Sequence, residues 1–366
     1  MIHTHAQAYR LLGLIALCGE LPADAIRRLP MTDSYRYKVI AGLKNQKLVR
    51  LFERDGLKGY RLTPAAKRLL MQTQPDRFST YLDRSGGHPL CRSEPARRLR
   101  LHAAAQACIT MMGAGVPLFP DEKAPLFEPS LSAAVPKPSG AVFYCPREVK
   151  NIGLEAAKIR SSRVAGILFD TERVYLTYNT GGTVMKWETQ AELRLRSLVE
   201  TRFCRNPCHS WYSDEHVIGL MLGDSTDTAL QLLTSSGGYR RSGYRPDAGF
   251  TRFWFCPNTP EGELQIRILT SPVYGQLRRL LLSDLRTGLP AVSMECDALD
   301  STGRPVLLSL DFDMPRLRRF HDALELFGYT GEIFCFDFQA RALQTYMDGL
   351  ADIRPVSLEK VRQHYL

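Results

Sequence analysis

The carboxylates of one segment, "RPDAGFTRFWFCPNTPEGELQIRIL" (245–269), have the types and spacing that metal-assisted hydrolysis uses. Pro246-Asp247 leads into a strand-like run, and Glu263-Leu264-Gln265 falls in the next apolar run, read as a second strand. Two acids brought together across such a hairpin can hold Mg²⁺, which activates a water and steadies the charge that develops. Glu192, on an upstream amphipathic segment, could complete the set. A lysine two residues after the second acid would steady the attacking water. Gln265 stands there instead, with Arg267 two further on, so the catalytic expectation on Asp247, Glu263 and Glu192 is incomplete.

A second acidic set, Glu295, Asp297, Asp311 and Asp313, lies in "MECDALD" and "LSLDFDM". If both runs are strands, each i, i+2 pair shares a face and two adjacent strands could bind a divalent cation. "CRNPCHSWYSDEH" (204–216) gathers Cys204, Cys208, His209 and His216, four candidate zinc ligands. The C-x₃-C spacing is loose, Cys208-His209 is an awkward adjacent pair, and no second cysteine pair follows, so no metal site is expected there. "NTGG" and "SSGG" lack the following Lys-Ser/Thr of a phosphate loop. No cofactor is expected, apart from Mg²⁺ if the chain is a nuclease.

The elements that must position these groups follow a different charge pattern. The chain has 366 residues and a net charge of +10. Residues 1–103 hold 19 Lys/Arg against 8 Asp/Glu, and the remainder holds 29 against 30, so the excess sits entirely in the first part. Such a local excess suits a polyanion. Nine cysteines without a framework fit a reducing compartment. No apolar run reaches the ~20 residues of a membrane span, and no secretory leader is read at the N-terminus. The expectation is a cytoplasmic protein with no membrane partner.

Within residues 1–90 the apolar spacing of Leu11, Leu12, Leu14, Ile15 and Cys18 predicts a first helix, and "PADAIRRL" a short second one. A third helix over about 34–46, capped by Asp33 or Ser34, turns Val39, Ile40 and Leu43 inward. "KLVRLFERDGLKGYRLT" reads as two strands, with turn chemistry at Asp55-Gly56 and Lys58-Gly59. Thr63-Pro64 opens a closing helix. Three helices and a two-stranded wing predict a winged helix-turn-helix. Tyr35, Arg36, Lys38 and Lys44 on the third helix, with Lys47, Arg50, Arg54, Lys58 and Arg61 on the wing and its approach, are the expected contacts to double-stranded DNA.

Residues 91–140 predict a helix from about 93 to 115, with Arg97, Arg98 and Arg100 clustered and alanine-rich turns behind them, followed by a proline-rich linker. The small residues suit a homodimer or a strut within the chain. Residues 141–366 alternate strands and helices, which predicts an α/β domain with a mixed sheet.

The order Leu43…Leu48-Val49…Tyr60-Arg61-Leu62-Thr63-Pro64-Ala65-Ala66 resembles the N-terminal winged helix of the replication-relaxation family of plasmids and integrative elements. That resemblance implies a DNA-binding accessory protein acting in replication, DNA relaxation or mobilisation, with a relaxase or replication protein as partner. The Pro-Asp and Glu-x-Gln spacing is similar to a restriction-endonuclease-like scaffold in degenerate form, and implies the alternative, a metal-dependent nuclease using Asp247 and Glu263. A further alternative is a winged-helix transcription regulator whose C-terminal half senses a ligand.

Overall fold

The computed structural model describes residues 6–82, 94–127, 135–150, 159, 161–235, 249–286 and 294–366. Asp247 lies outside them. The first helix, α1 (Gln7–Cys18), is buried nearly all round, as its run of leucines and isoleucine requires. It ends at Gly19, whose φ of 79° turns the chain into the short strand β1 (Leu21–Pro22). A 3₁₀ turn over Ala25–Arg28 leads to α2 (Asp33–Asn45). The strands β2 (Val49–Arg54) and β3 (Leu57–Leu62) form a hairpin in a three-stranded antiparallel sheet of order β1-β3-β2. Asp55 and Gly56, at φ 53° and 73°, make the tight two-residue turn whose backbone twist suits a hairpin. Thr63 Oγ1 then accepts from the Ala66 N–H at 3.3 Å, and Pro64 starts α3 (Pro64–Thr73), as its sequence signature predicts.

Lys58-Gly59 is not a turn. Gly59 sits within β3, opposite Phe52 on one side and Pro22 on the other. Its role is clearance: a Cβ there would stand 2.3 Å from Glu20 Oε1. Glu20 is fully buried. Its carboxylate accepts from Arg61 Nε and Nη2 (2.8 and 2.6 Å), from Arg98 Nη2 (2.6 Å) and from His102 Nε2 (2.9 Å). Arg98 also donates to the carbonyls of Phe52, Arg54 and Leu57. The hairpin is thereby clamped onto the helix that carries Arg98.

After α4 (Pro75–Leu82), that helix, α5 (Pro95–Gly113), lies between the hairpin unit and the rest of the chain. Its small residues Ala105, Ala107 and Cys108 are buried within this chain. The proline-bearing segment behind it is laid on the surface of α4: Phe119 meets Phe78 edge-on at 6.1 Å, and the Arg77 guanidinium stacks 3.8 Å above Phe119.

A five-stranded mixed sheet follows, with β4 (Val142–Tyr144), β5 (Gly166–Phe169), β6 (Val174–Gly181), β7 (Val217–Gly223) and β8 (Phe253–Pro257) side by side in that order. The first pairs are antiparallel and β6, β7 and β8 run parallel. Between them come α6 (Pro146–Val149), α7 (Thr189–Phe203) and α8 (Thr226–Leu233). Two more helices, α9 (Pro260–Leu269) and α10 (Pro272–Leu282), follow β8. A second sheet holds β9 (Ala298–Leu299), β10 (Pro305–Leu308), β11 (Gly331–Phe336) and β12 (Ala351–Val356), interleaved with α11 (Met314–Phe327) and α12 (Ala340–Met347) and closed by α13 (Leu358–Tyr365). The chain is therefore a mixed α and β structure with several sheets. Among the described residues no helix is long and apolar enough to cross a membrane.

The two faces of the five-stranded sheet bury different partners, as alternation along a strand requires. Phe143, Leu168, Tyr175, Ile218, Leu220 and Trp254 join α1, α5, α9 and α10 in one core. Tyr144, Ile167, Phe169, Leu176, Met221 and Phe253 join α7, α8, α11 and α12 in the other. The first core runs without a break from Tyr9 to Val361, so the packing does not part at the proline-rich stretch.

One expected strand is a helix instead. "ELQIRIL" lies in α9: Thr259 caps it, Pro260 takes its first position, and Ile266 and Leu269 face inward at helical spacing. The acids of the second set do not alternate on strands either. Asp311 and Asp313 lie beyond the end of β10, with Asp313 at the N-cap of α11, and Glu295 and Asp297 precede β9.

Two glycine substitutions separate clearance from flexibility. Gly59→Ala drives a methyl into the Glu20 carboxylate and is expected to cost about 3 kcal/mol. Gly42→Ala, in α2 with nothing within 4 Å of the new Cβ, is expected to stabilise by about 0.5–1 kcal/mol. Urea unfolding midpoints of the two variants measure both.

Candidate nucleic-acid interface

Helix α2 buries Arg36, Val39 and Leu43 and leaves the opposite face bare. Ser34, Tyr37, Lys38, Ala41, Lys44 and Asn45 share that exposed face at i, i+3, i+4, i+7, i+10 and i+11. Tyr37 is 78% exposed and Tyr35, beside the face, 46%. Lys44 Nζ stands 5.3 Å from the Tyr60 ring centroid, which steers the ammonium along the hairpin. Lys47, in the left-handed conformation at φ 54°, and the exposed Arg50 continue the positive strip onto β2. Among the described residues Lys38, Lys44, Lys47 and Arg50 have no carboxylate partner. Arg54 meets Asp55 at 3.4 Å and Lys58 meets Glu53 at 3.0 Å, all four side chains being largely exposed. Such surface pairs are weak and can yield to a competing anion.

Two expected contact residues point inward instead. Arg36 is 9% exposed, bonds Asp33, and donates to the carbonyls of Arg27 (3.0 Å) and Met31 (2.7 Å). It ties the 3₁₀ turn to the start of α2. The signal was in the spacing, since 36, 39 and 43 lie on one helical face. Arg61 is buried on Glu20, with its guanidinium 3.7 Å from the Phe52 ring centroid. Tyr37 and Asn45, not singled out from the sequence, take their place on the exposed face.

The Glu20 cluster holds the hairpin at a set angle to α5. Burial alone would raise the Glu20 carboxyl, but the bonds from His102, Arg98 and Arg61 overcome it and hold its pKa at about 2. Nothing local in the sequence marks this cluster, beyond an acid set directly after an apolar helix and Gly19.

A second polar seam joins this unit to the sheet. Arg28 Nη2 donates to Glu263 Oε1 (2.6 Å) and to Thr110 Oγ1 (2.8 Å). Thr110 Oγ1 lies 2.8 Å from Asn258 Oδ1, and Asn258 Nδ2 donates to Asn179 Oδ1 at 3.0 Å. Asn179 and Asn258 stand at the carboxyl ends of β6 and β8, so the seam runs from the 3₁₀ turn before α2 to the sheet. Gly113 is small because Glu263 lies against it: a Cβ there would stand 2.1 Å from Glu263 Oε2.

Of the expected catalytic carboxylates, Glu192 and Glu263 are not brought together, and Asp247 lies outside the described residues. Glu263 is on α9 and paired with Arg28, and burial pushes its carboxyl up against the pull of that arginine. Glu192 is buried on α7, where it accepts from Ser162 Oγ (2.6 Å) and the Arg163 N–H (2.7 Å), and burial raises it too. Helices α7 and α9 pack on opposite faces of the five-stranded sheet. One Mg²⁺ therefore cannot sit between Glu192 and Glu263. Gln265, in the place of the lysine, is buried and donates to the carbonyls of Phe255 and Leu310.

The second acidic set is occupied by arginines and a tyrosine. Asp297 pairs with Arg278 and Arg316 (both 2.8 Å), and Glu295 with Arg316 and Arg319. Asp311 accepts from the Tyr274 hydroxyl at 2.7 Å, and Asp313 from the Phe253 N–H at 3.2 Å. Burial, and then the charge of Asp311, push Asp313 up to about 7. Of the zinc candidates, Cys208 is exposed, His216 is half-buried, His209 is buried edge-on to Trp211, and Cys204 sits at the end of α7. Among the described residues no three such side chains converge on a metal position.

Because Glu20 is held far below an ordinary carboxyl, its contribution to stability is complete above about pH 4.5 and is lost as the pH falls toward 2. Glu20→Gln is expected to be less stable at neutral pH, by about 3–5 kcal/mol since two buried guanidiniums lose their counter-charge, and flatter than wild type across that acid window. Urea unfolding at a series of pH values reads both effects.

Compared with protein-family models, with curated proteins and with solved structures, the chain finds no match.

Proposed function

We propose that this protein binds double-stranded DNA through α2 and the β2–β3 hairpin, and that residues 6–73 act as a winged helix-turn-helix with α2 as the recognition helix. The observation that carries this reading is the bare face of α2, where Tyr37, Lys38, Lys44 and Asn45 stand exposed beside Lys47 and Arg50. Four of these six are cations without acidic partners among the described residues. A helix of this width enters the major groove, and its lysines and asparagine suit guanine and adenine edges. Lys47, Arg50, Arg54 and Lys58 suit phosphates, which set the register of the helix without reading sequence. Three strands in the order β1-β3-β2, with the short strand between the first two helical elements, are the arrangement expected of such a unit.

The resemblance of residues 43–66 to the replication-relaxation family fits this reading. On that resemblance we read the chain as an accessory DNA-binding protein of a plasmid or integrative element. On that view the mixed-sheet remainder, residues 141–366, carries no chemistry of its own and serves to dock a relaxase or a replication protein. The Arg28–Glu263 seam would then transmit the position of one unit to the other. The metal-nuclease alternative draws no support from Glu263 and Glu192, which are engaged elsewhere and on opposite faces of a sheet.

The test is a pair of variants in a salt series. Lys38→Ala/Lys44→Ala is expected to weaken duplex binding at least tenfold and to make the log–log salt dependence shallower, by about 0.9 for each phosphate left without its cation. Arg36→Ala is expected to lower the melting temperature instead, and to leave affinity unchanged at temperatures where the variant is folded. Wild-type affinity in the double-lysine variant would show that α2 is not the reader.

A further inference from the structure

Arginines 97, 98 and 100 lie within about one turn of α5 but do different work. Arg98 is fully buried under the hairpin and holds the carbonyls of Phe52, Arg54 and Leu57. That places the first turn of α5 against the tip of the hairpin. Arg97 and Arg100, one turn apart on the same helix, are exposed there. From this point α5 runs away from the hairpin along β6, where the Ala103 carbonyl accepts from Asn179 Nδ2 at 2.8 Å. The loop leading into β5 lies beside the same strand, with the Ala165 N–H on the Thr177 carbonyl at 2.7 Å. This loop carries Arg163, whose Nε is buried without a partner among the described residues. Lys150, exposed at the end of α6, brings the cations considered to four, on three separate elements.

Two acids among the described residues act on this group. Glu94 pairs with Arg97 at 2.9 Å, and Glu192 is already held by Ser162 and the Arg163 backbone. The cations feel one another. Although both side chains reach the surface, partial desolvation, then the charges of Arg163 and Arg97, push the Arg100 guanidinium down, and desolvation, then Arg100, push Lys150 down while Glu192 pulls it up. Like charges that act on one another fit a surface that meets an anion.

We propose that Arg97, Arg100, Lys150 and Arg163 form a second phosphate-binding patch that receives the backbone of duplex DNA where it runs on past α2 and the hairpin. The patch rests on the reading that α2 and the hairpin bind duplex DNA, and it extends the contact from the first unit onto the body of the protein. It gives the large C-terminal part a share in DNA binding without any base contact. The bend or path of the duplex is then set by the fixed angle between hairpin and α5, which Arg98 and Glu20 impose.

The experiment uses the full chain and two random-sequence duplexes. One is about 12 base pairs, roughly the single turn that a recognition helix and wing cover, and the other is about twice as long. Arg97→Gln/Arg100→Gln is expected to weaken binding to the longer duplex about tenfold, with a log–log salt slope shallower by about 2, roughly 0.9 for each phosphate contact. Binding to the shorter duplex is expected to stay within twofold. Lys150→Gln is a second variant, on a different element, expected to act in the same direction on the longer duplex only. Unchanged affinity and slope in both variants on the longer duplex, while Lys38→Ala/Lys44→Ala still weakens both duplexes, would overturn the patch and leave the α2 reading standing. If the wild-type chain bound neither duplex in dilute buffer, the α2 reading would fall first and the patch with it.

Discussion

The carboxylate of Glu20 is the charge around which the first third of the chain is arranged. A carboxylate fully removed from water costs several kcal/mol unless its charge and lone pairs are answered. Here Arg61, Arg98 and His102 answer it from three directions. The two guanidiniums also cover the Phe52 ring, at 3.7 and 4.7 Å from its centroid, so the charged cluster is roofed by an aromatic side chain. Arg98 places its remaining donors on backbone carbonyls of the hairpin. One acid thus fixes β1, the hairpin and α5 to each other, and Gly59 is the residue that leaves room for it.

Rigidity at this point matters for any surface that α2 and the hairpin present. A helix that reads a groove and a hairpin that lies on phosphates must hold a constant angle, since the groove and the backbone do. Apolar packing alone resists separation of the elements but tolerates small slides. Multidentate charged bonds through a buried carboxylate do not, because any slide leaves a desolvated donor unanswered. The Arg28–Glu263–Thr110–Asn258 seam extends the same principle to the sheet.

The charge count of the first hundred residues overstates what the surface shows. Arg36, Arg61 and Arg98 are among its cations, and all three are buried as structural ties. Among the described residues, the exposed cations include one strip from α2 into β2 and another at the start of α5, with Arg10, Arg27 and Arg68 standing elsewhere. A solvated, evenly basic surface would serve solubility alone. Two strips on neighbouring elements, joined by the hairpin tip, suit an extended anion.

Several elements were legible without coordinates because their causes are local. Leucine spacing specified α1, Asp55-Gly56 the hairpin turn, and Thr63-Pro64 the start of α3. Thr259-Pro260 carried the same signature for α9, and the alternating look of "ELQIRIL" hid it. The side on which a long polar residue falls was harder. Arg36 and Arg61 look like surface cations until Glu20 and the 3₁₀ turn are in place. Glu192 and Glu263 look like partners until a sheet stands between them. Periodicity and turn chemistry are written in neighbouring residues, so the sequence alone determined most elements and the basic character of the first part. Which face of each element is buried depends on partners such as Glu20 and Arg98, 78 residues apart, and only the tertiary structure could bring those together and decide which charges are left for a ligand.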